Sequence, residues 1–170
     1  AESGICSVTG DKNSPSKVGI SIVDIASGLT AFSAILRAII CRSKVGFGTD
    51  IKISMFDVMA DWMNMPLLAH RYMGGAPERV ALKHSFIAPY GAYDCGDGCK
   101  VLISIQNNRE FSMFCKHVLK NKIVSTDERF SDNASRFKNR DLLDNTILEV
   151  FEKMDSKSVI NLLDSVGIAN

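Results

Sequence analysis

The chain has 170 residues, 46% of them apolar and 23% charged, a composition that supports a packed core and excludes general disorder. Its 20 Lys and Arg against 19 Asp and Glu leave a formal charge of +1, which excludes nucleic-acid binding driven by bulk charge and an acidic solvating role. No uninterrupted apolar run reaches the about 20 residues of a membrane span; the closest, Ile20 to Ile40, contains Asp24 and Arg37.

Residues 1–17 are rich in Ser, Gly, Lys and Asp and read as a loop. From Asp24 to about Ser43, the apolar residues Ile25, Leu29, Phe32, Leu36, Ile39 and Ile40 recur at helical spacing, which predicts a well-buried helix. Gly46-Phe47-Gly48 ends it. Ile51, Ile53 and Met55 then alternate with polar neighbours as a short strand would. Phe56 to about Met73 returns to a helical pattern, with a kink expected at Pro66. Gly74-Gly75-Ala76-Pro77 opens a loop over residues 74–85. Tyr90–Asp94 and Lys100–Ile105 read as the strands of a hairpin, joined by Cys95-Gly96-Asp97-Gly98-Cys99. Helices are expected from Asn108 to about Leu119, from Asn139 to Met154 and from Ser156 to Val166, the last capped by Asp155 and stopped at Gly167. The chain opens on Ala1-Glu2-Ser3 and closes just past that helix stop, so a piece of a longer polypeptide is expected.

Five scattered cysteines (Cys6, Cys41, Cys95, Cys99 and Cys115) form no even framework, and reduced thiols in a cytoplasm are the simplest expectation. Cys95 and Cys99 lack a second pair to complete a zinc site and read as residues facing each other across a turn; no metal site is expected. Gly46-x-Gly48 has the order helix, glycines, strand, the reverse of a phosphate-cradling loop, and reads as a turn. The histidines His70, His84 and His117 have no metal-ligand spacing. His84, in a loop with Lys83 and Ser85, has a structural reading and a substrate-contacting one.

Asp24 stands out. It sits in Gly19-Ile20-Ser21-Ile22-Val23-Asp24-Ile25-Ala26-Ser27-Gly28, at the head of the long apolar helix. On the residues alone an N-cap is the simpler reading. The alternative is a carboxylate nucleophile at a positive helix terminus, with small neighbours leaving room for a substrate.

Several stretches, in this order and spacing, resemble the family III CoA-transferases, the group that includes formyl-CoA transferase, carnitine CoA-transferase and α-methylacyl-CoA racemase. They are Gly19 to Gly28, Arg42 to Gly48, Asp50 to Asp57, Tyr72-Met73-Gly74-Gly75, Ile87-Ala88-Pro89-Tyr90 and Asp97-Gly98, and the likeness runs from about residue 5 to the end. The resemblance implies an α/β fold. Residues 1–57 would end part of a large Rossmann-like domain, 58–82 would be a linker helix and loop, and 83–170 a truncated small α+β domain. It also implies that Asp24 is the nucleophile of an acyl-CoA:carboxylate CoA-transferase, working through an aspartyl mixed anhydride and an aspartyl-CoA thioester. Coenzyme A and acyl-CoA would be substrates, with no covalently bound cofactor. An acyl-CoA racemase or epimerase and a non-catalytic domain are the alternatives. The expected partners are acyl-CoA, a carboxylic acid and a second copy in an interlocked homodimer, with no nucleic acid and no membrane; the 170-residue piece alone is expected to be inactive. The sequence departs from formyl-CoA transferase where Lys83-His84-Ser85-Phe86-Ile87 replaces a run of glycines, which suits an acid with a second polar end, such as a dicarboxylate. Val45 and Thr49 stand where many relatives have Thr and Gln, a change read as structural.

Overall fold

The computed structural model describes residues 2–170 and divides at Ala81/Leu82 into two compact units. Among the described residues the first unit carries four helices: α1 (Ile5–Val8), α2 (Ile22–Val45), α3 (Met55–Trp62) and α4 (Asn64–Tyr72). Residues 58–81 of the expected linker therefore group with it. The chain leaves α2 through Gly46, whose φ of +82° turns the backbone and lets its N–H donate to the Arg42 carbonyl.

Ile51 and Ile53 are half-buried while Lys52 and Ser54 are exposed, so the alternation read from sequence holds at those positions, but Met55 is exposed. No strand forms there, because nothing among the described residues offers a ladder of hydrogen bonds. The chain runs irregularly to Ser54, whose hydroxyl accepts from Asp57 N at 3.2 Å and starts α3. The kink expected at Pro66 is replaced by a break at Met63. A continuous helix would need a Pro66 N–H to reach the Trp62 carbonyl; as third residue of α4, proline needs no such donor.

The burial expected for α2 is corrected. Only Ala26 is buried along its 24 residues, and Leu29, Phe32, Leu36, Ile39 and Ile40 are exposed. Among the described residues, α3 packs against α2 at its first turns, and the apolar stripe beyond them stays open. By length and composition α2 is also long and apolar enough to cross a membrane, despite Asp24 and Arg37.

The second unit is built on a hairpin, β1 (Tyr90–Asp94) and β2 (Lys100–Ser104), paired antiparallel with Ala92 opposite Leu102. Around it lie α5 (Asn108–Met113), which runs into a π-helical turn at Phe114–Val118, then α6 (Lys122–Thr126), a 3₁₀ turn at Glu128–Phe130, α7 (Asn133–Lys138), α8 (Arg140–Phe151) and α9 (Ser156–Ser165). One face of the hairpin, Tyr93, Val101 and Ile103, packs on Phe114, Leu143, Ile147, Phe151, Val159 and Leu163 to make the core. The Gly96 N–H donates to the Met154 carbonyl at 2.8 Å, and a Cβ on Gly96 would lie 2.4 Å from the Glu152 carbonyl oxygen. Only glycine lets the hairpin turn dock there. Cys95 and Cys99 do flank this turn, with Cys95 N donating to the Cys99 carbonyl at 2.8 Å, and burial raises the Cys95 thiol pKa.

Asparagines cap α5 and α6 of this unit, and aspartates cap α7 and α9. Asp132 accepts from Ser135 N at 2.8 Å, Asp155 from Ser158 N at 2.9 Å, and Asp97 reaches across to accept from Ser156 N and Oγ at 2.9 and 2.7 Å. These donors hold all three carboxyls below the ordinary carboxylate range. A lowered folded-state pKa gives stability that is complete above the unfolded value and lost as pH falls through the folded value. The contribution of these three carboxylates to stability should therefore be complete down to about pH 5 and be lost below about pH 4. Asp155→Asn keeps an acceptor but cannot titrate, so its acid-induced drop should be smaller than the parent's.

Candidate functional site

Asp24 occupies the first turn of α2, so the cap reading is corrected: Ser21 holds the cap position, and its hydroxyl makes no capping bond. The turn is pinned from below. Ala26 is 1% exposed against Val58 and Met59, with Ile5, Val23 and Ile53 around it. Ser27 Oγ donates to the Val23 carbonyl at 2.7 Å. Asp24 itself is exposed, and among the described residues no hydrogen bond or ion pair engages its carboxylate. One turn along, a Cβ on Gly28 would meet nothing within 4 Å. A free carboxylate thus stands in the first turn of a long helix beside open space, an arrangement that leaves an electrophile room to approach.

Lys83, His84 and Ser85 lie in the second unit, in the loop that leads into β1. Lys83 Nζ donates to Asp144 Oδ2 at 2.5 Å; Asp144 is 4% exposed and takes the Tyr93 hydroxyl on its other oxygen at 2.7 Å. The Lys83 ammonium is therefore committed to a buried carboxylate, and burial together with that carboxylate pushes the Tyr93 pKa up. His84 is folded into the loop: its Nδ1 accepts from Phe86 N at 3.0 Å and Ile87 N at 3.1 Å, and its ring stacks on Tyr90 with centroids 5.0 Å apart. Burial, and next the Arg140 guanidinium, lower its pKa. Ser85 is half-buried, and its hydroxyl has no protein partner among the described residues.

Three side chains unmarked by any sequence motif hold this loop. Asn133 accepts from Ala88 N at 3.2 Å and donates to the Phe86 carbonyl at 2.8 Å. Arg136, 1% exposed, donates to the carbonyls of Ala88 at 2.8 Å and Phe130 at 3.1 Å and to Asn108 Oδ1 at 2.9 Å, with the Phe111 ring 4.5 Å away. Arg140 donates to the carbonyls of His84 and Ile87. Their spacing places them along one face of α7 and the start of α8. The one hint in the sequence is two arginines four residues apart, a pattern that more commonly marks an exposed face.

A family model described as CoA-transferase family III matches residues 1–170. The chain belongs to CoA-transferase family III. An acyl-CoA transferase of Fusarium pseudograminearum is 31% identical over 99% of this chain and 37% of its own length. An acetyl-CoA:oxalate CoA-transferase of Acetobacter aceti is 28% identical over 99% and 43%, and a human succinyl-CoA:glutarate CoA-transferase 28% identical over 99% and 38%. Among solved structures, a CAIB/BAIF family protein from Brucella suis superposes with a TM-score of 0.73 at 28% identity, over 99% of this chain and 44% of that one. The chain thus spans less than half the length of these family III relatives.

The clamp makes a stability prediction. Arg136→Met removes its donors from the carbonyls of two buried residues, Ala88 and Phe130, and from the amide oxygen of the exposed Asn108, and should cost about 3 kcal/mol, near the upper end for unsatisfied buried groups. Arg136→Lys, with a point charge in place of a planar fork, should lose less. Urea denaturation of the two variants beside the parent gives both values.

Proposed function

We propose that the protein is an acyl-CoA:carboxylate CoA-transferase with Asp24 as its nucleophile and a dicarboxylic acid among its substrates. The observation that carries this reading is the unpartnered Asp24 carboxylate on the pinned first turn of α2. The transferase names of the relatives support it, including those acting on oxalate, glutarate and mesaconate.

Asp24 attacks the carbonyl of an acyl-CoA; the C–S bond breaks, coenzyme A leaves as thiolate, and a mixed anhydride remains on the enzyme. The thiolate then attacks the aspartyl carbonyl, releasing the first acid and leaving an aspartyl-CoA thioester. The incoming carboxylate attacks that thioester and expels the thiolate, which takes the new acyl group and frees Asp24. Each step exchanges one activated acyl for another, so a carboxylate nucleophile faces no large energetic gap. Backbone N–H groups of the first helical turn suit the oxyanions that form. In this reading α2 is a core helix of a larger enzyme. Its apolar residues recur along one stripe, as in a helix packed against protein.

In the full-length enzyme, Asp24→Asn should abolish transfer while leaving the stability from urea denaturation within about 0.5 kcal/mol of the parent, as for other exposed positions. Hydroxylamine added with acyl-CoA should convert Asp24 to a hydroxamate detectable by peptide mass spectrometry. Full activity in the Asn variant would remove Asp24 from the mechanism. For the substrate, kcat/KM with succinate as acceptor should exceed that with butyrate by about tenfold or more, the worth of one hydrogen bond to a charged group. A preference for butyrate would refute the dicarboxylate.

A further inference from the structure

The turn Cys95-Gly96-Asp97-Gly98-Cys99 carries two free cysteines that the proposed reaction does not use. Cys95 follows the last residue of β1 and Cys99 precedes the first of β2, so the register that pairs Asp94 with Lys100 sets them opposite each other. The Cys95 N–H donates to the Cys99 carbonyl at 2.8 Å, and the Gly98 N–H to the Cys95 carbonyl at 3.0 Å. With Gly98 at φ +78°, these bonds close a short hairpin loop through a bulge, a form in which the flanking residues stay paired. Paired residues have Cα atoms about 4.5–5.5 Å apart, inside the span of about 4.4–6.8 Å that a disulfide bridges. Side chains alternate along a strand, so Cys95 shares a face with Tyr93 and Cys99 with Val101. Tyr93 and Val101 are themselves partners on the inner face, and the two thiols leave the hairpin on that same side.

Their access differs. Cys95 is 5% exposed within the core, whereas Cys99 is open to solvent. Burial, then the negative charges of Asp97 and Cys99, raise the Cys95 pKa. The backbone between them is held from outside: the Gly96 N–H donates to the Phe151 and Met154 carbonyls at 3.3 and 2.8 Å, and Asp97 accepts from Ser156. Joining the sulfurs therefore takes side-chain rotation and leaves this docked backbone in place. Cys115, in the π-helical turn, is buried with its thiol pushed up to about 12, which makes it inert toward the same reagents.

We infer that Cys95 and Cys99 are a thiol–disulfide couple, with Cys99 as attacking thiol and Cys95 as resolving thiol, oxidised by a low-molecular-weight disulfide. The Cys99 thiolate attacks one sulfur of the oxidant; the oxidant's S–S bond breaks, one thiolate leaves, and a mixed disulfide remains on Cys99. Capping removes the Cys99 charge that opposed ionisation of Cys95. Cys95 then loses its proton to solvent and attacks the Cys99 sulfur, expelling the second thiolate and closing the Cys95–Cys99 bond. Two protein thiols are oxidised by two electrons, and the oxidant is reduced to two thiols that take up the two protons. The product covalently closes a turn that the fold has already shaped.

The test treats the full-length protein with oxidised glutathione, then alkylates it and reads peptides by mass spectrometry. The peptide holding both cysteines should lose two hydrogens and escape alkylation, and dithiothreitol should restore both thiols. A glutathione adduct that persists on Cys99, or a bridge from either cysteine to a different one, overturns the inference. In Cys95→Ala the reaction should stop at an adduct on Cys99. That change leaves a gap in the core, so the exposed Cys99→Ser is the second variant: its Cys95 should stay a free thiol, and an adduct there overturns the assigned order. A synthetic peptide of residues Tyr90–Ser104 has the same cysteines without the docking on α8 and α9. Its dithiol–disulfide equilibrium constant against glutathione should be lower than that of the folded protein by about tenfold or more. Equal constants overturn the claim that the fold pairs these thiols.

Discussion

A guanidinium enclosed by backbone carbonyls holds the second unit in its functional shape. Among the described residues no carboxylate hydrogen-bonds Arg136; its partners are two carbonyls, one amide oxygen and an aromatic face. Burying such a charge is unfavourable unless its donors are satisfied, and here the satisfied donors are also the ones that organise the loop. Residues 84–89 form no helix or strand, so their carbonyls need partners from elsewhere. Asn133, Arg136 and Arg140 supply them for His84, Phe86, Ile87 and Ala88, and the Ile105 N–H supplies one for Pro89. The loop conformation is thus set by a helix pair about 50 residues downstream, and the hairpin that follows inherits its entry from it.

Around that clamp the side chains divide their work by what they are bonded to. Lys83 and Tyr93 neutralise and satisfy Asp144 beneath the loop, a buried polar network in which each oxygen has its donor. Gly91 permits this closeness, since a Cβ there would come within 2.8 Å of Lys83 Cγ. His84 spends one ring nitrogen on the loop and keeps the other. Neighbouring residues of one segment thus end in different bonding, the Lys83 ammonium on a buried carboxylate and the His84 ring on backbone N–H groups, which the residue types alone do not reveal.

The first unit follows a different economy of contacts. Its packed cluster is small, Ala26, Val58 and Met59 with three half-buried neighbours, and it sits under the first turn of α2, where Asp24 is. Rigidity is concentrated where a nucleophile would need it. The rest of α2 shows a continuous apolar stripe, consistent with a chain that spans 37–44% of the length of its relatives.

What the sequence determined by itself is the set of features whose cause lies within a few residues. The hairpin and its Gly-Asp-Gly turn, the Asp155 cap, the stop at Gly167 with φ +69°, and the helical stripe of α2 all follow from local bonding and periodicity. The order of short motifs also carried the family. The tertiary structure alone decided three things. The alternation at Ile51 and Ile53 lacked a partner strand and stayed irregular. Asp24 moved from cap to free carboxylate because the helix begins two residues earlier, at Ile22. The partners of Lys83 and His84 could not be read locally, because Asp144 and Arg140 lie 61 and 56 residues away. Periodicity reports which face a residue is on. It is silent about which distant donor or acceptor will meet it there.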